Sequence, residues 1–307
     1  MESPALFRFK FHAMAAEHEL QLFASSAQLA ERAAKAAIAD VARIEVKYSR
    51  YRDDSVTTRI NRAAGRGRVA IDAETAALLR YADQCFRLSE GRFDITSGVL
   101  RRVWDFRARP AHVPSSDALA AALTSIGWAD VEWDDQGILL PREGMELDFG
   151  GIGKEYAADR VATICSAHGI AHALVNLGGD VRAIGGQPDG SPWRVGIRDP
   201  RAPNRAVALL EVDDGAVATS GDYERYFDLD GRRYCHILDP RSGMPVVHWR
   251  SVSVVAPLCV VAGSCATIAM LFEERAPAFL DAQQFYYLAI DATGKLHRSA
   301  HSKAAST

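Results

Sequence analysis

The second half of the chain is divided into short apolar segments by turn-forming residues, and this pattern is the main constraint on the fold. The first half differs, because apolar residues recur at three- and four-residue steps from Leu29 to Tyr48, as on the buried face of a helix. Helices and strands that are separated along a chain favour an α+β fold with mixed or antiparallel sheets and flanking helices. The segments with strand length are 173–177, 193–197, 207–212, 233–238 and 252–256.

The chain is expected to form one domain. Its 307 residues allow one large domain or two of ordinary size, and no Pro/Gly/Ser-rich linker divides them. We assign residues 1–297 to the domain and expect the polar residues 298–307 to be a disordered tail. The longest apolar run, 258–272, is shorter than the roughly 20 residues of a membrane span, so it predicts a buried helix and no membrane span.

Charge and cysteine content limit the classes of partner and the compartment. The net charge is −3 and the basic residues are scattered, so no nucleic-acid partner is expected. The five cysteines have no spacing typical of a zinc site, and their odd number and apolar neighbours indicate reduced thiols. Residues 1–12 are too short and too charged for a secretory signal, so we expect a cytoplasmic protein.

One polar region combines groups that are able to perform chemistry. Thr-Ser-Gly-Asp-Tyr stands at 219–223, and His-Ile-Leu-Asp-Pro-Arg-Ser-Gly stands at 236–243. His236 has the side chain best suited to proton transfer near neutral pH, and it precedes the turn-forming pair Asp239–Pro240. Reactive groups are often displayed at such strand ends, but a hairpin with a core histidine explains the segment equally well.

Three further motifs have both a functional and a structural interpretation. The segment 148–154, Asp-Phe-Gly-Gly-Ile-Gly-Lys, leads from a predicted strand into a helix, where free N–H groups favour phosphate; a Gly-rich turn with a surface lysine is the alternative. In Asn-Leu-Gly-Gly-Asp at 176–180, the two glycines would allow the backbone to approach a ligand closely; a structural turn is the alternative. In 91–98, Phe93 is able to cover a planar ring while Asp94 and Thr96 bond its edge, or the segment only ends a helix.

The order of these motifs along the chain is more specific than any one of them. Over residues 12 to about 290, the chain resembles the FAD:protein FMN transferase family, also called the ApbE family. The segments that carry the resemblance are 51–61, 93–96, 148–154, 176–180, 192–195, 219–223 and 236–243.

The resemblance implies a flavin transfer reaction. Members of that family bind FAD, cleave its pyrophosphate with a divalent metal, usually Mg²⁺ and in some cases Mn²⁺, and release AMP. The FMN passes to a threonine or serine hydroxyl of an acceptor flavoprotein. By the same resemblance His236 takes the proton from that hydroxyl, and the metal is bound by the main-chain carbonyl of Gly151 and the hydroxyl of Thr267. The positions that match cofactor contacts are Met14, Tyr51, Arg92, Phe93, Asp94, Asp148, Lys154, Thr219 and Ile237.

The chain also departs from the family pattern. The family carries an aspartate four residues before the metal-binding threonine, and here that position is Gly263. Ser264 is a neutral substitute one position away, and Asp222 is another acid considered as a replacement. The family's Met-Gly-Thr loop is Met14–Ala15–Ala16, and the glycine after its lysine is Glu155. Two alternatives therefore stay open, a flavin-binding protein without catalysis and an FAD pyrophosphatase that makes FMN and AMP.

Replacing Gly263 by aspartate is expected to strengthen metal binding and to raise FAD turnover, because the substitution supplies an anionic ligand. Titration of the variant with Mg²⁺ and measurement of AMP release check this expectation. Unchanged affinity and turnover would contradict this account of the metal site.

Overall fold

The fold is α+β, as the sequence predicts. The computed structural model describes residues 3–300. Its largest sheet has eight strands in the order β1-β2-β6-β7-β10-β13-β14-β15, and every neighbouring pair is antiparallel. The strands of this sheet are β1 (Ala5–Ala13), β2 (Ala16–Ala24), β6 (His172–Leu177), β7 (Asp180–Ile184), β10 (Gly215–Gly221), β13 (Trp249–Ala256), β14 (Tyr286–Asp291) and β15 (Leu296–Arg298).

Three small sheets complete the strand content of the described residues. The hairpin of β8 and β9 and the hairpin of β11 and β12 each form a two-stranded sheet, and β3, β5 and β4 form a three-stranded one. These strands are β3 (Val69–Ala70), β4 (Glu132–Trp133), β5 (Gly137–Leu139), β8 (Trp193–Asp199), β9 (Ala202–Val212), β11 (Tyr226–Leu229) and β12 (Arg232–Cys235).

The helices begin and end largely where the sequence pattern predicts. The stripe from Leu29 to Tyr48 is the buried face of α1, and Asp72 caps α3 by accepting from Thr75 N at 2.9 Å. The apolar run 258–272 forms α6. The helices are α1 (Ala27–Tyr48), α2 (Val56–Arg62), α3 (Ala73–Leu88), α4 (Ser116–Leu123), α5 (Gly153–Ala167), α6 (Cys259–Phe272) and α7 (Ala276–Ala282).

The large sheet is covered on both faces, which gives three layers. On one face α1, α5 and α6 bury the apolar side chains of β2, β6, β10 and β13 in the main core. On the other face Val217 and Ile290 pack against Trp193 and Leu210 of the β8–β9 hairpin. Alternation along β10 therefore directs successive side chains to different layers.

A third apolar cluster supports the loop that contains His236. Leu100, Trp104 and Phe227 are buried in it, and Leu238 and Met244 pack at its edge. Trp104 Nε1 donates a hydrogen bond of 2.7 Å to the Gly243 carbonyl, which ties the end of the loop to this cluster.

The structure bears on two further expectations, the absence of a membrane span and the start of the C-terminal tail. Within residues 3–300, no helix has the length and apolar character needed to cross a membrane. A disordered tail is predicted from residue 298, but residues 298 and 299 are ordered. Arg298 pairs with Leu288 in the sheet, and Ser299 N donates to the Tyr287 carbonyl. The remainder of that tail, 301–307, lies outside the described residues.

The β1–β2 hairpin turns at Met14 and Ala15, both in the left-handed region with φ of 48° and 59°. A two-residue turn with two positive φ angles suits glycine, whereas alanine is strained there. Ala15→Gly is therefore expected to raise the free energy of unfolding by about 0.5–1 kcal/mol. Urea denaturation measures this change.

Ala39 provides the control, because it is exposed in the middle of α1. Ala39→Gly should lower the free energy of unfolding by about 1 kcal/mol. Equal destabilisation by both glycines would contradict the assignment of strain to Ala15.

Candidate active site

The Gly-rich segment 148–154 enters α5 at Gly153, as predicted, but no strand precedes it. The extended chain before it is held by the side chain of Asn61, which accepts from Leu147 N at 2.7 Å and donates to the Leu147 carbonyl at 3.1 Å. Asp148 N donates to the Ile95 carbonyl at 2.8 Å. A side-chain amide thus replaces the neighbouring strand, which periodicity in the sequence does not reveal.

Asp148 connects two arginines to the Gly-rich turn. Its carboxylate accepts from Arg50 at 3.1 Å, lies 3.6 Å from Arg101, and accepts from Gly150 N at 2.8 Å. Burial alone would raise the pKa of Asp148, but Arg101 and Arg50 outweigh it and hold that pKa below its usual value. A Cβ on Gly98 would lie 2.7 Å from the Asp148 Cβ, so glycine is required for this approach.

Lys154 joins the segments 148–154 and 176–180 in space. Its ammonium group pairs with the buried carboxylate of Asp180, at the start of β7. Burial opposes the charge on Lys154, but Asp180 and then Glu155 raise its pKa above the ordinary value. The same side chain lies beside Gly178, where an added Cβ would be 3.7 Å from Lys154 Nζ and 3.2 Å from the Ala16 Cβ. The two motifs and the β1–β2 turn therefore meet at one end of the sheet.

Two of the predicted cofactor contacts near residue 93 are occupied by protein partners. Both Asp94 carboxylate oxygens accept hydrogen bonds, one from Thr96 N and Oγ1 at 2.7 and 2.6 Å and the other from Trp128 N at 3.1 Å. Arg92 pairs with Glu90 at 3.2 Å and stacks over the Phe272 ring. These contacts shape the loop, as the structural interpretation of 91–98 expects.

The surroundings differ among three of the predicted cofactor contacts, Phe93, Met14 and Tyr51. The buried Phe93 ring contacts Gly151, where an added Cβ would lie 3.2 Å from Cζ. Met14 N donates to the Glu45 carboxylate at 2.8 Å. Tyr51 is 79% exposed, so its ring is available to stack on a planar ligand.

His236 follows the last residue of β12, beyond the end of the hairpin. Its backbone N donates to the Arg225 carbonyl at 3.0 Å, and within residues 3–300 its buried Nδ1 has no hydrogen-bond partner. Burial, followed by the charges of Arg225 and Arg101, lowers the pKa of His236 to about 4. The ring is therefore neutral at physiological pH and able to accept a proton. Ile237, the next residue, has a buried side chain in the core.

Thr267 and Thr219 face different layers. Thr267 Oγ1 lies 2.7 Å from Ser220 Oγ, on the α6 side of the sheet. Thr219 Oγ1 lies 2.8 Å from Ser253 Oγ of the paired strand β13, and alternation places both on the opposite face. The hydroxyl of Thr219 is therefore not brought together with that of Thr267.

Gly263 is in contact with Glu155, and this overturns the expectation for Gly263→Asp. A Cβ on Gly263 would lie 2.6 Å from Glu155 Cγ and 2.9 Å from Oε1. An aspartate at 263 would collide with a side chain that already carries a carboxylate. We therefore expect Gly263→Asp alone to disturb the site instead of strengthening metal binding.

The other two substitutes considered for the missing acid do not lie at this point. Asp222 forms a bidentate pair with Arg201 at 2.7 and 2.6 Å. Ser264 is buried on α6 near Tyr81 and Cys85 of α3. Among the described residues, no group of three His, Cys, Asp or Glu side chains has the arrangement of a metal site.

Oxygen donors of mixed type are nevertheless available to a hard cation. Within residues 3–300 no hydrogen bond is made to the Gly151 carbonyl oxygen. The Thr267 hydroxyl has a single neutral neighbour in Ser220, and Glu155 Oε2 is buried without a partner. A carbonyl, a hydroxyl and a carboxylate fit the preference of Mg²⁺ or Mn²⁺ for oxygen ligands.

Comparison with known proteins gives one consistent result. The model of the ApbE family matches residues 14–288. An FAD:protein FMN transferase of Vibrio cholerae is 36% identical over 251 residues, which cover 80% of this chain and 75% of that relative. The FAD:protein FMN transferase of Treponema pallidum is 36% identical over 240 residues, with coverage of 73% and 66%.

Solved structures resemble the whole fold. The crystal structure of the ApbE protein of Thermotoga maritima matches with a TM-score of 0.89 at 31% identity, covering 96% of this chain and 97% of that one. The apo form of the flavinyl transferase ApbE of Pseudomonas stutzeri matches with a TM-score of 0.87 at 28% identity, covering 98% and 96%.

The depressed pKa of His236 depends partly on the charge of Arg101. Arg101→Gln is expected to raise this pKa by about half a unit to one unit, because a nearby positive charge disfavours the imidazolium form. Titration of the His236 ring by NMR from pH 3 to pH 8 measures the change. Arg107→Gln, at an exposed arginine, is the control. Equal pKa values in the two variants would contradict the assigned influence of Arg101.

Proposed function

The chain belongs to the ApbE family, and we propose that it is an FAD:protein FMN transferase that moves FMN from FAD to a threonine or serine hydroxyl of an acceptor flavoprotein and releases AMP. The observation that carries the proposal is the neutral His236 within the field of several cations. Arg225, Arg101 and Lys154 all contribute positive charge at its ring. These cations are placed to attract the FAD pyrophosphate, and within residues 3–300 the buried Nδ1 of His236 has no partner that would block proton acceptance from the hydroxyl.

In this proposal the chain's own residues perform two tasks. Lys154 binds the pyrophosphate oxygens together with the backbone N–H of Gly151, which has no acceptor within residues 3–300. His236 accepts the proton of the acceptor hydroxyl as that oxygen attacks the phosphorus of the FMN half, and AMP departs. Because the low pKa of His236 keeps it unprotonated at neutral pH, no prior deprotonation of the ring is required.

A divalent metal, Mg²⁺ or Mn²⁺, would neutralise negative charge on the pyrophosphate. The Gly151 carbonyl and the Thr267 hydroxyl would hold it. The position of Gly151 supports this assignment, because its carbonyl oxygen receives no hydrogen bond within the described residues.

We assign the flavin and adenosine contacts to the residues around the turn. Exposed Tyr51 stacks on a ring of FAD, and Phe93 and Met14 line the adjacent surface. Asp94, Arg92 and Asp148 act mainly by holding their loops. Thr219 and Ile237 contribute through the backbone, because the hydroxyl of Thr219 bonds Ser253 and the Ile237 side chain is in the core.

We also propose that the protein and its acceptor meet in the cytoplasm. All five cysteines are free and buried, as expected of a reducing compartment. The pyrophosphatase alternative uses the same pocket with water as the acceptor, and the experiment below separates the two reactions.

The purified protein, incubated with FAD and a co-expressed flavoprotein, is expected to release AMP and to add the mass of one FMN to that flavoprotein when Mg²⁺ is present. EDTA should abolish both, because the pyrophosphate charge is then not neutralised. Release of AMP without an adduct would indicate a pyrophosphatase. Absence of both products at every Mg²⁺ and Mn²⁺ concentration would contradict the proposal.

His236→Asn should lower the rate of transfer by at least about 100-fold, because the general base is lost. FAD binding, measured by flavin fluorescence, should stay close to that of the parent. His168→Asn is the matched control, since His168 is exposed at the end of α5. Equal rates for the two variants would exclude His236 as the base.

A further inference from the structure

Glu155 is a buried carboxylate without a matched partner. The residue is only 8% exposed, and within residues 3–300 no group donates to its Oε2 atom. Its neighbour Lys154 is already paired with Asp180, and burial together with the charge of Asp180 raises the pKa of Glu155 to about 8. Burying an unpaired carboxylate is costly, and such groups are normally paired or coordinate a metal.

The position of Glu155 connects the two other candidate oxygen donors. It lies in the first turn of α5 and follows Gly151, which stands just before the N-cap Ile152, by four residues. Across the α5–α6 contact it meets Gly263, and Thr267 lies one turn further along the same face of α6. Because Gly263 has no side chain, the Glu155 carboxylate fills the space that a longer residue would occupy.

We propose that Glu155 is the anionic ligand of the divalent cation, together with the Gly151 carbonyl and the Thr267 hydroxyl. The inference rests on the proposed function, because the remaining ligands are the FAD pyrophosphate and water. All three donors are hard oxygen atoms of the kind that Mg²⁺ and Mn²⁺ bind. The carboxylate absent from position 263 is thus supplied from the facing helix.

Neighbouring acids are unavailable for this role. Asp180 is engaged by Lys154. Asp159, one turn after Glu155, accepts the first two backbone N–H groups of α6 at 2.8 and 2.9 Å. Glu155 is therefore the acid of α5 that contacts α6 at Gly263 and that keeps one oxygen, Oε2, without a partner within residues 3–300.

Metal affinity tests the inference without any measurement of activity. Mn²⁺ is titrated into the protein in the presence of ADP, which carries a pyrophosphate without the flavin, and free Mn²⁺ is followed by EPR. Glu155→Gln keeps the shape of the side chain and removes its charge, so Kd should rise by at least about tenfold. Glu143→Gln is the control, because Glu143 is an exposed carboxylate whose side chain is 84% accessible. Equal Kd values for the two variants would overturn the proposal.

A carboxylate swap provides a second test. Glu155→Gly alone should weaken Mn²⁺ binding, whereas Glu155→Gly combined with Gly263→Asp should restore Kd to within about threefold of the parent, because the acid returns from the other helix. Gly263→Asp alone should weaken binding through its collision with Glu155. The double variant is first shown to keep the circular dichroism and melting temperature of the parent. If it then fails to regain Mn²⁺ affinity, acids at positions 155 and 263 do not reach the same metal site.

The outcomes of this experiment and of the transfer assay are separable. If the parent transfers FMN and Glu155→Gln binds Mn²⁺ normally, the role of Glu155 is wrong and the proposed function stands. If the parent binds Mn²⁺ through Glu155 but neither cleaves FAD nor makes an adduct, the metal ligand stands and the proposed function fails.

Discussion

The placement of α6 depends on one carboxylate of α5. Leu258 precedes α6 and offers no side-chain cap, so the first N–H groups of that helix would be left without acceptors. Asp159 accepts two of them from the neighbouring helix. This contact fixes the position of α6 along the axis of α5. The contacts of Gly263 with Glu155 and of Thr267 with Ser220 both depend on that position.

The electrostatics of the site result from an arrangement in which most charges are already matched. Arg50 is held by Glu146 and Asp148, and Lys154 is held by Asp180. Pairing immobilises these cations and keeps them in place for an anionic ligand without a search through side-chain conformations. The same cations lower the pKa of His236, so the negative charge of an anion bound beside them would raise that pKa and make the ring a stronger base.

Local patterns in the sequence predicted the elements well but not their contacts. The stripe of α1, the buried helix in 258–272 and the helix that follows the segment 148–154 depend on neighbouring residues, and the structure confirms them. The internal hydrogen bonds of Asp94 and the direction of Thr219 depend on residues from other segments. Seven motifs in order indicate the family, whereas the contact of Gly263 with Glu155 is not predictable from the sequence, because the two residues are distant in the chain and adjacent only in space.

The contact between Gly263 and Glu155 also restricts how the two positions are able to change during evolution. A carboxylate at both positions is excluded by space and by like charge, and a carboxylate at neither leaves the site without an acid. Each single substitution between the two arrangements therefore passes through an unfavourable intermediate. If Glu155 binds the metal, moving the acid from α5 to α6 therefore requires coordinated substitutions at positions 155 and 263.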